Sequence, residues 1–330
     1  MSYSKSNKLI LILVTFITSC NSEKSISNSI KISAWGVDVS STKNVLETGL
    51  FEGEKYQYVV SSYPVISAAK NSNSKIEIYE NITSKFASKH NVNGFPQAGL
   101  FINTELENNN EKEPLIKSFL TTFDNTVKNI VEEKSDVIEY MTKYSSDLNK
   151  QTSYFGFNSN LLKSVINGNK LSFINLNNNP NIDELNIFNE IFDYSINSDK
   201  LSKYYLNQYN EDKTDYSDLK ISVPYGGPSA SVLPFIFNDD NLNKNIEFTT
   251  PVNIRSSLTS GNKDFIIFDS TTGINISDNK YKLVRMVTYG NLYLVSTGND
   301  ENNKLDSNDK IFAYGENLIT GKVTKDIYEK

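Results

Sequence analysis

Histidine and cysteine each occur once, as His90 and Cys20. That count removes several chemistries. No disulfide can form within the chain, and a Cys/His zinc site lacks its ligands. A Ser-His-Asp or Cys-His nucleophile would have to use His90, which lies in the polar stretch SKHNVNG and reads as an exposed loop. The acidic clusters, Asp239-Asp240 and residues 299–309, lack calcium-loop spacing. No metal or cofactor is expected. The remaining candidates are loop residues at strand ends, where glycine lets the backbone approach a ligand and a helix start offers free N–H groups. Gly226, Gly227, Pro228 and Ser229 form the best such loop; the alternative is a tight turn capped by Ser229. The next strand ends in Asp269-Ser270-Thr271-Thr272, which is a ligand loop or only a helix cap. Tyr289 and Asn291 flank Gly290 inside an apolar strand, where they meet a ligand unless Tyr289 packs in the core. Gly315 and Asn317 repeat the strand-loop-helix logic of 226–229, and Ser62 and Tyr63 follow another strand. Trp35, the single tryptophan, stands at a strand end and either stacks on a flat ligand or packs internally. Gln97 begins a strand and is placed to reach a site.

The chain has 330 residues, enough for about two domains, and a net charge of −6. Only Arg255 and Arg285 are arginines among the 33 basic residues. No basic patch stands out, so a nucleic-acid partner is not expected. At the N-terminus, Lys5 and Lys8 precede the apolar run LILILVTFIT at 9–18. Ten helical residues span about 15 Å, half of a bilayer core of about 30 Å. The run therefore reads as part of a signal peptide over 1–19. It ends in Ile17-Thr18-Ser19-Cys20, which resembles the bacterial lipobox, an aliphatic residue and two small ones before a cysteine that becomes lipidated. Residues 20–29 then form a lipidated tether, polar and rich in serine.

These loops have to be held by alternating strands and helices. Strands are expected over 30–39, 56–62 and 95–103, with a helix at 42–50 closed near Gly49 and another after Pro64. Apolar residues recur at helical spacing over 113–146, after Pro114, and again over 182–206. Short segments include a helix at 159–166 and a polar linker at 207–218. The later half reads strand, glycine loop and helix from Leu219, then strand and helix to Gly261, then the strand DFIIFDS. KLVRMVTYGNLYLVST is expected to be one long or bent strand, and KIFAYGENLITGKV a last strand-loop-helix unit after a linker at 297–309. Such alternation indicates α/β structure with mainly parallel sheets.

At LKISVPYGGPSASVLPFI the pattern resembles the first strand and loop of periplasmic solute-binding proteins of ABC importers, in the sulfonate, nitrate, taurine and pyrimidine-precursor branch. The resemblance continues through NIEFTTPVNIRSSLTSGNKDFIIFDSTTG, YKLVRMVTYGNLYLVS and KIFAYGENLITGKV. NVLETGLFEGEKYQYVVSSYPVISAAK, FPQAGLFINTELENNN, LIKSFLTTFDNTVKNI and FNEIFDYS are similar to later parts of that family, yet here they come first. The resemblance implies a two-lobed, type II-like periplasmic-binding-protein fold, circularly permuted, with its ends inside the second lobe. It places 30–175 in lobe two, 176–298 in lobe one and 299–330 in lobe two again, with hinge crossings near 297–309 and 170–185. Where the family often has Glu-Pro, this chain has Tyr63-Pro64, which removes a carboxylate that would hold a cationic ligand.

The function so implied is a membrane-anchored, monomeric receptor in the bacterial cell envelope. It would bind a small-molecule solute between its lobes and deliver it to an ABC permease, without bond chemistry. The alternative is a surface lipoprotein that uses the same fold to bind a protein or a host surface. An enzyme on this fold is disfavoured by the single, exposed histidine.

Overall fold

The computed structural model describes residues 32–36, 39–133, 169–192, 194–211, 215–224, 226–232, 235, 245–299 and 304–329. The expected signal peptide, Cys20, the tether, the helix at 159–166 and the end of the 113–146 run lie outside these residues.

Two five-stranded sheets organise the chain. The first runs β1 (Ile32–Gly36), β12 (Ile311–Tyr314), β4 (Tyr58–Ser61), β11 (Tyr293–Ser296) and β5 (Glu77–Asn81). The second runs β8 (Ile246–Thr249), β7 (Ile221–Pro224), β9 (Phe265–Asp269), β6 (Pro96–Asn103) and β10 (Tyr281–Tyr289). A small hairpin, β2 (Leu50–Phe51) with β3 (Glu54–Lys55), stands apart. Read in these orders, the two large sheets have the same polarity. In each, three strands are parallel, the fourth is antiparallel to both its neighbours, and the fifth therefore points with the first three. The sheets are mixed rather than wholly parallel.

Burial follows the two-residue period of a strand. Val59 and Phe312 face one side of the first sheet, under α1 (Val39–Thr48) and α2 (Tyr63–Lys70), while Tyr58, Val60, Ile311 and Ala313 face the other. On the second sheet Phe265 and Ile267 point toward α5 (Glu113–Val131), and Ile266 and Phe268 point away from it. The two inward faces share one apolar cluster, so the sheets are packed on a common middle layer. Helix α5 has Pro114 in its first turn and buries Ile116, Phe119, Leu120, Phe123 and Val127 along one stripe. Two short helices, α3 (Ile82–His90) and α4 (Thr104–Glu107), flank β6. The helical pattern at 182–206 gives α6 (Ile182–Phe192) only; beyond it Asn189 bonds the backbone of Ile196 in both directions, and the chain turns away. Helix α7 (Pro251–Ser260) closes as expected at Gly261, whose φ is +75°. Helices α8 (Ser270–Ile276) and α9 (Ile319–Tyr328) complete the set among the described residues.

Three expectations are corrected. First, KLVRMVTYGNLYLVST is two strands in different sheets. The chain breaks at Gly290 and Asn291, with φ of +96° and +82°, values that extended strand excludes. Second, His90 is not in an exposed loop. It ends α3, lies against Phe86 and pairs through Nε2 with Asp326 Oδ2 of α9 at 2.7 Å. Third, the pairing divides the chain elsewhere than at 175/176 and 298/299. Strand β6 lies between β9 and β10, so residues 96–289 build the second sheet, and β11 returns to the first. The crossings are at 91–95 and 290–292. They run side by side, with Gly290 N donating to Phe95 O at 2.8 Å and Leu292 N to Thr83 Oγ1 at 2.9 Å.

A side chain at Gly290 would have positive φ and a Cβ 2.5 Å from Thr83 Cγ2. Gly290→Ala is therefore expected to lower stability by about 1–3 kcal/mol, measured by urea unfolding. Gly53→Ala, where nothing lies within 4 Å, should cost less.

Candidate functional site

The parallel strands of both sheets end at one cavity of about 470 Å³. Ligand sites of open α/β sheets lie beyond such carboxyl ends. From the first sheet it is reached by Ser61 at the end of β4 and Ser62 after it, Tyr314 at the end of β12, and Ser40, Thr42 and Lys43 of α1. From the second come Pro224 at the end of β7 and Gly226, Gly227 and Pro228 after it, Thr250 and Pro251 after β8, and Phe268 and Asp269 at the end of β9. Val60, Pro64, Val65, Ala68, Leu292 and Leu318 add an apolar wall. The local sequence explains this convergence. Four of the six strand ends carry hydroxyl residues before or at the start of a helix: Ser40-Ser41-Thr42, Ser61-Ser62, Thr249-Thr250 and Ser270-Thr271-Thr272. Serine and threonine at a helix start accept bonds from its first amides.

Asp269 is the central polar group. Its Oδ1 accepts from Thr271 Oγ1, Thr272 N and Thr272 Oγ1, each at 2.9 Å, which caps α8. Its Oδ2 accepts from Ile319 N at 2.9 Å, the first residue of α9. Helix α9 follows β12 of the first sheet, so this carboxylate bridges the two sides of the cavity. Burial pushes its pKa up, and the hydrogen bonds oppose that rise.

Of the residues singled out in the sequence, Asp269, Gly226, Gly227, Pro228, Ser62 and Gln97 line the cavity. The others are outside its lining. Ser229 turns back, with N and Oγ both donating to Gly226 O, as a tight turn requires. Ser270 is fully buried, donates to Pro96 O at 2.6 Å and meets Tyr194 OH at 2.7 Å. Thr271 and Thr272 spend their hydroxyls on Asp269. Tyr289 packs edge-on to Phe188, and burial raises its pKa. Asn291 Oδ1 accepts from Tyr63 N at 3.0 Å, capping α2. Tyr63 itself packs on Tyr293 with Lys170 above its ring. Gly315, φ +72°, shapes the turn into α9, and Asn317 is exposed. Trp35 packs against the middle layer, with Lys325 Nζ 5.2 Å from its ring.

No family model, curated protein or solved structure matches the chain.

Thr42, Thr250 and Thr320 also line the cavity and were missed in the sequence. The recurring pattern of strand, hydroxyl pair and helix was the available signal. Neither arginine is at the cavity. Arg255 is exposed on α7. Arg285 is buried, and all five of its N–H groups are used: two on Asp124, and the rest on the carbonyls of Val284, Tyr204 and Asn207. Among the described residues no group of His, Cys, Asp and Glu could hold a metal ion.

Asp269→Asn would keep an acceptor for α8 but place an N–H₂ group against Ile319 N–H. It is expected to weaken the bridge by about 1–3 kcal/mol. Amide exchange at Ile319 should then accelerate while that of Thr272 holds; equal change at both would refute the bridge.

Proposed function

We propose that the protein is a solute receptor that closes on a small molecule between its two sheets and hands it to an ABC permease, with no bond chemistry. One observation carries this reading: a cavity lies at the carboxyl ends of two like-ordered sheets whose chain crossings, among the described residues, run side by side. Side-by-side crossings suit a hinge, because one small set of backbone angles can rotate one sheet against the other. His90 stands outside the cavity and is committed to Asp326, which agrees with binding rather than catalysis.

The same order supports the two-lobed, type II-like binding-protein fold and its circular permutation. The sheet places filled by consecutive β7, β8 and β9 are filled in the other sheet by β12, β1 and β4. In addition, Ile32 N at the start of β1 lies 3.3 Å from Glu329 Oε1 at the end of α9. Lipidation at Cys20 would hold this monomer at a membrane surface. Among the described residues no helix is long and apolar enough to cross a membrane.

The test is thermal unfolding of the purified full chain against sulfonates, oxyanions, pyrimidines, thiamine and riboflavin precursors and amino acids. A solute at 100 times its Kd adds about 2.7 kcal/mol, a rise of several degrees for a chain of this size. No rise across the panel would favour the surface-binding lipoprotein. Separately, Cys20→Ser is expected to move the protein from the membrane to the soluble fraction; retention in the membrane would sink the lipid anchor.

A further inference from the structure

Several polar side chains of the cavity wall already have partners within the chain. Asp269 accepts from the starts of α8 and α9, Thr250 caps α7, and Thr320 Oγ1 donates to Tyr314 O at 3.3 Å. Lys43 Nζ lies 2.6 Å from Glu47. Ser62 and Gln97 differ. Both are half-buried in the lining, and among the described residues neither side chain has a hydrogen bond.

Each is free for a local reason. Ser62 stands at the N-cap of α2, where a serine hydroxyl ordinarily takes a first-turn amide. Here other groups do that. Tyr63 N donates to Asn291 Oδ1, Pro64 has no N–H, and Val65 N and Ile66 N donate to the carbonyl of Ser62. Gln97 is the one residue of β6 that is not buried. By the period of a strand it shares a side with Phe101, which lies in the middle layer, so Gln97 faces the first sheet. The two residues thus reach the cavity from opposite sides, near one crossing. Asn291 holds the amide next to Ser62, and Gly290 N donates to Phe95 O, two residues before Gln97.

The wall around them is apolar. Pro64, Pro224, Pro228 and Pro251 are all in it, with Phe268 and Leu318, and a proline ring offers carbons and no N–H. The volume of about 470 Å³ compares with the ~150 Å³ of a cavity that admits benzene. A ring-sized body fits with space left for a polar group. On closure, polar groups that lose water need new partners. A carboxamide both donates and accepts, and a hydroxyl does either. A solute group that itself donates and accepts satisfies both.

We infer that the cleft takes a solute with an amide-type group, a carboxamide or a lactam, gripped by Ser62 from one sheet and Gln97 from the other, with an apolar body packed on the prolines. Ser62 and Gln97 are the specificity-determining residues, and the bonds they make draw the two sides together. The inference rests on the solute-receptor reading above.

The experiment titrates the full chain, by calorimetry and thermal unfolding, with benzamide, phenylacetamide, caprolactam and quinolinone, each beside its fully N-methylated counterpart. At least one N–H compound is expected to bind, about tenfold or more tighter than its counterpart. Gln97→Leu and Ser62→Ala are each expected to weaken that compound about tenfold, and Gln97→Leu to narrow its advantage over the methylated form. Both variants are expected to keep the unliganded midpoint, because neither side chain is bonded in the free protein. A lowered midpoint with unchanged affinity would make the two residues structural and overturn the inference. Equal or tighter binding of the methylated compounds also overturns it, with the receptor reading left standing. So does failure of this whole set when a solute of the earlier panel raises the midpoint. No binding by either set overturns both.

Discussion

The cavity owes its form to one carboxylate serving two helices. Asp269 ends a central strand of the second sheet, caps the helix that follows it, and receives the first amide of a helix belonging to the first sheet. The same group thus fixes a local turn and sets the approach of the two sides. A cap normally satisfies one helix. Here the second oxygen takes a donor from across the gap, in surroundings where burial raises the energetic cost of ionisation. What remains polar on the wall is set by this arrangement, because two helix starts are satisfied without any outside partner.

The second buried charge has another task. Arg285 sits within a strand and gathers α5 and the segment at 204–207 onto the sheet. With every N–H bonded, it has no donor left for a ligand. Removing Asp124 would strand a buried cation, which typically costs far more than a surface pair is worth. The two arginines therefore contribute to architecture or to the exposed surface, and the cavity is built from hydroxyls, an amide, the Asp269 carboxylate, the Lys43 ammonium and apolar side chains.

Much of the architecture was legible because it rests on period. The continuous apolar run of β6 marks a strand buried on both faces, and the stripe of α5 marks a helix lying on a sheet. What escaped notice was polar. Strand β5, EIYEN, is an exposed edge with little alternation to read. Helix α3 is short and rich in serine and lysine, so His90 looked like loop. The break at Gly290 was visible as a glycine, but sequence does not say that the two sides join different sheets; long-range pairing decides that. The site was half legible for the same reason. Loops after strands were identifiable by composition, whereas the side chains within each loop divide between cavity and core according to bonds such as Ser270 to Pro96 that only the fold creates. The division into 30–175 and 176–298 failed because it followed family order instead of pairing.

The strand order also bears on how the chain can assemble as it is made. Residues 96–289 hold all five strands of the second sheet, so that sheet is one uninterrupted stretch. The first sheet is different. Its earliest strands, β1, β4 and β5, never touch one another in the ladder; each pairs only with β11 or β12, the last two to leave the ribosome. Three strands with open edges must therefore wait while the whole of the other sheet is synthesised. Unpaired edges invite wrong partners, and domains tend to fold as soon as they are complete. The topology thus imposes a schedule: an internal unit that can mature early, and an outer one that closes around it last.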